Sequence, residues 1–173
     1  MNKIQQLRIE KITLNIGAGT DQKLLEKGMK LIKNLTGISP IKTKTLKRIP
    51  AWGLRPNLPI GCKLTLRGEK AIEILKRLIV AKKNVLKSSC FDSNGNLSFG
   101  VHEYIDIPDL EYSPEIGIIG LQIAVTVNKP GTRVMRRKIR KNKIGPRQKV
   151  TQKESIDYFT KEFNIKLEEK NDN

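Results

Sequence analysis

The chain has 173 residues, with 34 Lys or Arg against 17 Asp or Glu, and its formal net charge at pH 7 is +17. A charge of this size attracts polyanions, so it indicates a nucleic acid or an anionic membrane surface as the partner. No apolar run reaches the roughly 20 residues of a membrane-spanning helix, and the start of the chain lacks the apolar core of a signal peptide, so the sequence predicts a cytoplasmic protein without a membrane partner.

Apolar periodicity predicts regular elements in the first half of the chain. Apolar residues at every second position indicate a strand buried on one face, and apolar residues three and four positions apart indicate a helix. On these patterns we expect a strand at 12–16, a helix over 24–35 capped by Gly37, a β-like segment at 41–46, a proline-containing loop at 49–59 and a strand over 62–67. The last of these strands has one apolar face, formed by Cys62, Leu64 and Leu66, and one polar, basic face.

Helix and turn signals continue beyond this strand. A helix is expected from 69 to about 83. Its inward-facing residues, by helical spacing, are Ile72, Leu75, Leu78 and Ile79. The dipeptide Asn94-Gly95 is the strongest short signal for a hairpin turn. It would join strands near 89–91 and 97–101, so at least one antiparallel strand pair is expected.

The remaining segments complete a pattern of the α+β class. An acidic connection at 102–115 precedes a strand over 121–127, and a capping box at 151–154 opens a terminal helix at about 151–167. Strands and helices that interleave irregularly indicate an α+β fold, whose mostly antiparallel or mixed sheet has helices packed on one face. We expect this fold to form a single domain over 1–173.

Charge is segregated along the chain. No acidic residue occurs from Lys27 to Gly68 or from Lys129 to Lys153, whereas the acidic connection contains no Lys or Arg. Closely spaced cations repel one another, and a phosphate backbone relieves that repulsion while counterions are released. We therefore expect a basic extension at about 133–150 and phosphate contacts from the cations of both stretches. These cations are Lys42, Lys44, Lys47, Arg48, Arg133, Arg136, Arg137, Lys138, Arg140 and Lys141.

The identity of the nucleic acid follows less directly from the residues. One histidine and two cysteines, Cys62 and Cys90, do not provide zinc-finger spacing, and a cytoplasmic cysteine pair this far apart is expected as reduced thiols. The polar face of the 62–67 strand suits a backbone with hydroxyl groups, which favours RNA modestly. Trp52, in the proline-containing loop, is interpreted either as a stacking platform for a base or sugar or as an aromatic side chain packed on the core.

Two other functions stay open at this point. Carboxylates of the acidic connection, among them Glu103 and Asp109, could hold Mg²⁺ in a metal-dependent RNA-processing enzyme. An acidic loop in solvent, or against a basic protein, accounts for the same residues more simply. A general RNA chaperone would need only the basic surface. We expect no catalytic residue, no metal site and no cofactor.

Five segments stand in an order and spacing that cover nearly the whole chain. They are 12–19, 59–68, 99–103, 112–120 and 129–134. In these segments the chain resembles the large-subunit ribosomal protein five family, the 5S rRNA-binding protein of the central protuberance. The strand Pro-Ile-Gly-Cys-Lys with its Thr-Leu-Arg-Gly ending is the most specific part, and the basic run with the final helix resembles the archaeal and eukaryotic branch. Ser113, the pair Leu121-Gln122 and Lys129 depart from the family pattern.

The resemblance implies a structural constituent of the large ribosomal subunit rather than an enzyme. Such a protein would bind 5S rRNA, anchor it to large-subunit rRNA, meet neighbouring large-subunit proteins, contact a small-subunit head protein across an intersubunit bridge and approach the P-site tRNA. By position, the implied 5S rRNA contacts are Asn15, Lys63, Thr65 and Arg67. The implied tRNA-facing loop is Trp52, Gly53, Leu54 and Arg55. The candidates for the protein bridge are Asp106, Asp109 and Glu111.

Overall fold

Seven strands and four helices make up the part of the chain that the computed structural model describes, residues 6–168. In chain order they are β1 (Arg8–Gly17), α1 (Gln22–Thr36), β2 (Ile41–Lys44), β3 (Pro59–Leu66), α2 (Glu69–Ala81), β4 (Val85–Lys87), β5 (Leu97–Val101), β6 (Leu121–Asn128), α3 (Arg133–Arg136), α4 (Gln152–Phe163) and β7 (Lys166–Glu168). Short 3-10 turns lie between several of them. The predicted α+β fold is confirmed.

The strands form two sheets. The larger sheet has five strands in the order β2-β3-β1-β6-β5, and the smaller sheet pairs β4 with β7 in parallel. β2 runs antiparallel to β3, with Ile41 opposite Lys63. The register shifts between Thr43 and Lys44, where β2 ends. The predicted β-like segment at 41–46 is therefore a four-residue edge strand.

Alternate residues of the central strands are buried, as the two-residue period predicts. The buried side chains are Ile12, Leu14 and Ile16 in β1, Cys62, Leu64 and Leu66 in β3, and Leu121, Ile123, Val125 and Val127 in β6. Each large aliphatic side chain removed from water contributes about 1.5–3 kcal/mol to folding. Because strand side chains alternate between faces, the residues between them stay on a polar, solvent-facing side.

The chain divides into two compact units. The α1 unit consists of Thr13–Leu66 and Gly100–Ile123. Here α1 begins at the Asp21 cap and ends at Gly37, which adopts the left-handed conformation with φ 70° as the predicted cap. Gly28 lets the helix approach the strands closely, because a Cβ at this position would lie 3.1 Å from Cγ2 of Ile16 and 3.3 Å from Sγ of Cys62.

The α4 unit consists, within the described residues, of 6–12, Arg67–Phe99 and 124–168. The predicted capping box is confirmed, with Thr151 and Glu154 bonded reciprocally at the start of α4. Phe159 is fully buried and packs edge-on against Phe91, with 5.8 Å between ring centroids. The hydroxyl of Ser155 donates to the carbonyl of Gly95 at 2.7 Å. The terminal helix is thereby docked on the Asn-Gly turn.

The predicted hairpin strand at 89–91 is wrong. Ser88–Cys90 forms a 3-10 turn, and only Phe91 makes an antiparallel bridge, with Leu97 at the start of β5. The side-chain amide of Gln152 donates to the carbonyl of Phe91 at 3.1 Å. Because Cys90 already belongs to the 3-10 turn, the pairing stops after one bridge.

Two helix predictions are also corrected. Ile72 is 38% exposed rather than inward, because a rotation of 100° per residue puts it at the edge of the stripe that Ala71, Ile74 and Leu75 occupy. The terminal helix ends at Phe163 rather than near 167, since Asn164 adopts the left-handed conformation and β7 follows. The chain after Glu168 lies outside the described residues, and the single domain stays a prediction.

The two cysteines are free thiols, as expected, with Cys62 buried and Cys90 half-buried. Burial raises the pKa of the Cys62 thiol, so this side chain packs as a small apolar group. Among residues 6–168, no helix is both long and apolar enough to cross a membrane.

Gly61 supplies the first testable prediction. A Cβ at this position would lie 2.6 Å from the carbonyl oxygen of Ile16 and 3.1 Å from Oγ1 of Thr43. We expect Gly61→Ala to lower the free energy of unfolding by about 1–3 kcal/mol, because backbone has to move. Urea denaturation followed by circular dichroism measures the change.

Gly145→Ala is the matched control, since its Cβ would meet nothing within 4 Å and its φ is −63°. An equal loss of stability in the two variants would contradict the steric explanation.

Candidate nucleic-acid interface

The polar side of the α1 unit brings together three of the predicted 5S rRNA contacts. Lys63 and Thr65 are exposed on β3, and Asn15 is half-buried on the adjacent strand β1. The Asn15 amide donates from Nδ2 to Oε1 of Gln122 on β6, at 2.9 Å. This bond orients the amide, so that the Asn15 carbonyl oxygen is presented as an acceptor for a donor such as a ribose hydroxyl.

Gln122 is a site residue that the sequence reasoning did not identify. It was noted only as a departure from the family pattern, yet it is exposed and holds the Asn15 side chain. The signal that could have found it is the two-residue alternation of β6, which places Gln122 between the buried Leu121 and Ile123 on the polar side.

The fourth predicted contact, Arg67, lies in the α4 unit. Its Nη1 is 3.5 Å from Oε1 of Glu10, and Nη2 of Arg136 is 2.5 Å from Oε2 of the same carboxylate. Asn128 also donates its side-chain amide to Oε2. Glu10 therefore gathers two of the predicted RNA-contacting arginines, and it too was missed because its partners come from distant parts of the chain.

The loop between β2 and β3 is closed at its base by Thr45. This threonine is 7% exposed, donates its hydroxyl to the carbonyl of Arg55, and exchanges backbone bonds with Asn57 and Leu58 at 2.9 Å each. Further out, Ile49 and Leu54 exchange two backbone bonds of 3.0 and 3.1 Å. The loop predicted at 49–59 is thus an ordered loop, interrupted by the 3-10 turn Pro50–Trp52.

The predicted tRNA-facing residues have different roles in this loop. Leu54 is 7% exposed and anchors the loop, while Gly53 adopts φ 65°, which suits glycine. Trp52 is 70% exposed, so it does not pack on the core. Arg55 is exposed as well. The loop presents an open aromatic ring and cations to solvent, together with the exposed Lys47 and Arg48.

The other predicted phosphate contacts are exposed. Lys42 and Lys44 lie on the edge strand β2, and the basic residues of 133–141 lie on α3 and the segment after it. Arg137 donates from Nε to the carbonyl of Arg140 at 2.7 Å, which leaves its other N–H groups for further acceptors. None of these cations is buried, so all are placed where a phosphate backbone can reach.

The base of the basic extension is fixed by a buried cation. Lys129 is 5% exposed; its Nζ donates to both carboxylate oxygens of Glu154 at 2.8 Å and to the carbonyl of Lys149 at 3.2 Å. Gln148 donates to the carbonyl of Pro130 at 2.7 Å. The segment that follows β6 and the segment that precedes α4 are therefore joined at the base of the basic extension.

The acidic connection is held by Tyr104, which is 1% exposed and whose hydroxyl accepts from the backbone N–H of Ser113 at 2.9 Å. Because the donor is the backbone N–H of Ser113, this bond does not depend on the side chain at that position, and the departure from the family pattern leaves it intact. Asp106, Asp109 and Glu111 are exposed around it. Among residues 6–168, no group of three or more His, Cys, Asp or Glu side chains is arranged to hold a metal ion.

Two family models match the chain. The one described as "Ribosomal protein L5" covers residues 2–55, and the one that describes the C-terminus of the same ribosomal family covers residues 59–165. The chain belongs to the ribosomal protein L5 family. The family resemblance seen in the sequence is thereby confirmed over nearly all of the chain.

Relatives of similar length agree with this membership. The large ribosomal subunit protein uL5 of Nanoarchaeum equitans is 46% identical over 165 residues, which is 95% of this chain and 97% of the relative. The uL5 of Methanosphaera stadtmanae is 42% identical over 97% of this chain and 100% of the relative, and that of Sulfolobus acidocaldarius is 42% identical over 96% and 93%. These relatives are archaeal, which confirms the predicted branch.

As an L5 protein, the chain is a structural constituent of the large ribosomal subunit and not an enzyme. Its partners are rRNA and other ribosomal proteins, and it is bound to the ribosome in the cytoplasm. The alternative of a metal-dependent RNA-processing enzyme is therefore wrong.

The pair of Lys129 and Glu154 gives a pH-dependent prediction. The hydrogen bond from Lys129, followed by that from the Thr151 backbone, lowers the pKa of Glu154 from the ordinary value of 4.5. A carboxyl whose folded-state pKa is lowered contributes stability above its unfolded pKa and loses that contribution as the pH falls through the folded value. Glu154→Gln keeps one carbonyl oxygen that can accept the capping bond, while it removes the charge and one of the two acceptors for Lys129.

We expect the difference in unfolding free energy between the parent chain and Glu154→Gln to be constant from pH 7 to about 5 and to shrink below pH 4.5. Urea denaturation at a series of pH values measures it. A difference that stays constant down to about pH 3 would contradict the role of the ionised carboxylate.

Proposed function

We propose that this L5 protein binds 5S rRNA through the polar side of β1, β3 and β6 and anchors it to large-subunit rRNA in the central protuberance. The observation that carries the proposal is the bond from Asn15 to Gln122 beside the exposed Lys63 and Thr65. An oriented amide next to a hydroxyl and an ammonium group can contact base edges and ribose hydroxyls in addition to phosphates.

The rigidity of this surface supports selective binding. The side chains stand on strands whose opposite residues are buried, so little chain entropy is lost when RNA binds. The cations of the basic extension stand mainly on irregular chain. Phosphate contacts fix position and add affinity, whereas contacts to bases and hydroxyls provide selectivity. The strands therefore select 5S rRNA, and the extension holds the surrounding large-subunit rRNA.

The loop between β2 and β3 is the proposed contact to P-site tRNA. It is closed at Thr45 and anchored by the buried Leu54, so its outer residues are held in place. Trp52 exposes a ring on which a base or sugar can stack, and Arg55 adds a cation for the phosphate backbone. Neither side chain is needed for the sheet surface that we assign to 5S rRNA.

The acidic connection is the proposed contact to a small-subunit head protein across an intersubunit bridge. Asp106, Asp109 and Glu111 are exposed on a segment that Tyr104 fixes. An anionic patch on a chain of net charge +17 is repelled by rRNA and complements a basic protein. Glu115, at the end of the same connection, is paired with Lys30 at 2.7 Å.

Replacing two polar residues of the strands tests the 5S rRNA contact. We expect Asn15→Ala with Thr65→Ala to weaken binding to a 5S rRNA transcript by about 10- to 100-fold, since each lost hydrogen bond contributes about 0.5–1.5 kcal/mol. Binding is measured by gel shift in a fixed salt concentration with excess unrelated RNA. Circular dichroism reports whether the fold is retained.

Asn34→Ala with Thr160→Ala is the matched control, because it removes the same side-chain types from exposed helical positions. Near-native 5S rRNA binding by the strand variant would overturn the assignment of these residues. Equal binding of the parent chain to 5S rRNA and unrelated RNA would instead favour a general RNA chaperone.

Arg55 provides a separate test of the loop. We expect Arg55→Ala to leave the affinity for 5S rRNA unchanged and to increase the dissociation rate of P-site tRNA from assembled ribosomes by severalfold, because one phosphate contact is lost. Filter binding with labelled tRNA measures the rate. Loss of 5S rRNA binding in this variant would show that the loop belongs to the other site.

A further inference from the structure

The carboxylate of Glu10 is the centre of a cluster of charged and polar side chains. One carboxylate is shared by Arg67 at 3.5 Å, Arg136 at 2.5 Å and the side-chain amide of Asn128. Glu10 lies on β1, Arg67 directly follows β3, Asn128 ends β6 and Arg136 ends α3. All four lie in the α4 unit.

Burial differs sharply between the anion and the cations of this cluster. The side chain of Glu10 is 14% exposed, whereas those of Arg67 and Arg136 are 58% and 50% exposed. The carboxylate therefore lies beneath two guanidinium groups that face solvent. A guanidinium has five N–H donors in a fixed plane, and Glu10 occupies only part of that capacity on each arginine.

The charges of the cluster leave it attractive to an anion. Two arginines and one glutamate sum to +1, and the exposed Arg133 and Arg137 stand on the same short segment as Arg136. Without the carboxylate, two guanidinium groups this close would repel each other, and their long side chains would sample many rotamers. Glu10 offsets the repulsion and holds both groups before any ligand arrives.

We infer that Arg67 and Arg136 form a single binding site for one RNA phosphodiester, and that Glu10 is the positioning residue of that site. The inference deepens the proposed function and rests on it for the identity of the RNA as 5S rRNA. Guanidinium groups bind phosphate oxygens with paired, charge-assisted hydrogen bonds. A phosphate that approaches both arginines from the solvent side can accept hydrogen bonds from guanidinium N–H groups that do not bond to Glu10.

If Glu10 positions the arginines, replacing it changes the affinity for RNA in the direction opposite to the one expected from net charge. Glu10→Gln raises the net charge by one, which by charge alone strengthens binding to any RNA. If Glu10 positions the arginines, the same substitution releases two flexible side chains that must be ordered again on binding. We expect Glu10→Gln to weaken RNA binding by about tenfold at near-physiological salt.

Glu168→Gln is the matched control, because it adds the same charge by removing the exposed partner of Lys87, 3.9 Å away. We expect this control to bind as tightly as the parent chain or slightly more tightly. Affinities are measured by fluorescence anisotropy over a salt series with two probes, a 5S rRNA transcript and an unrelated RNA of equal length. Thermal unfolding of each variant is measured in parallel.

A double-mutant cycle separates positioning from a general loss of stability. Arg136→Gln removes one half of the site, and we expect Glu10→Gln to cause at most about a twofold further loss in that background. An undiminished tenfold loss in the presence of Arg136→Gln would mean that Glu10 acts through the fold. That result, or tighter binding by Glu10→Gln alone, would overturn the inference.

The two probes distinguish this inference from the proposed function. The preference of the parent chain for 5S rRNA over the unrelated RNA decides the function. The effect of Glu10→Gln, read on whichever RNA the parent chain binds more tightly, decides the inference. A parent chain that binds the two RNAs equally well would overturn 5S rRNA as the ligand. The phosphate site would then still be tested by the double-mutant cycle.

Discussion

Burial of one side of β1, β3 and β6 is the constraint on which the rest of the structure depends. Side chains of a strand alternate between faces, so a strand that places Ile12, Leu14 and Ile16 in the core must place Thr13 and Asn15 on the other side. A slip of one residue in register would exchange the two sets. The same alternation that makes the fold stable therefore also fixes which polar groups stand on the solvent-facing side.

Carboxylates fix the positions of cations in the basic parts of the molecule. A chain of net charge +17 repels itself, and two of its carboxylates lie where cations from distant segments converge. Glu10 joins Arg67 and Arg136, and Glu154 joins α4 to the buried Lys129. Removing Glu154 leaves the buried Lys129 without its carboxylate partner, which is costly. These two anions therefore determine where Arg67, Arg136 and Lys129 point.

Local patterns account for most of the fold that the sequence predicted. The two-residue period located β1, β3 and β6, and the capping box located the start of α4. The resemblance supplied Asn15 and Thr65, which the structure places on neighbouring strands. Features with a local physical cause could thus be predicted from the sequence.

The errors and omissions have a non-local cause. Most of the segment 89–91 belongs to a 3-10 turn, and its last residue, Phe91, is held by Gln152 from a distant part of the chain. β4 and β7 are three-residue strands that stabilise each other across the chain. Glu10 lies in a polar stretch with no pattern of its own, and only its contacts reveal a role. Tertiary partners that are far apart in sequence leave no periodic signal.

Cross-linking of intact large ribosomal subunits by ultraviolet light, with the attached RNA sequenced for each peptide, tests the central claim most directly. The polar side of the sheet should contact 5S rRNA, so the peptide that contains Thr65 should carry 5S rRNA nucleotides. Peptides from the basic extension should carry large-subunit rRNA as well. A Thr65 peptide linked only to RNA other than 5S rRNA would contradict the account.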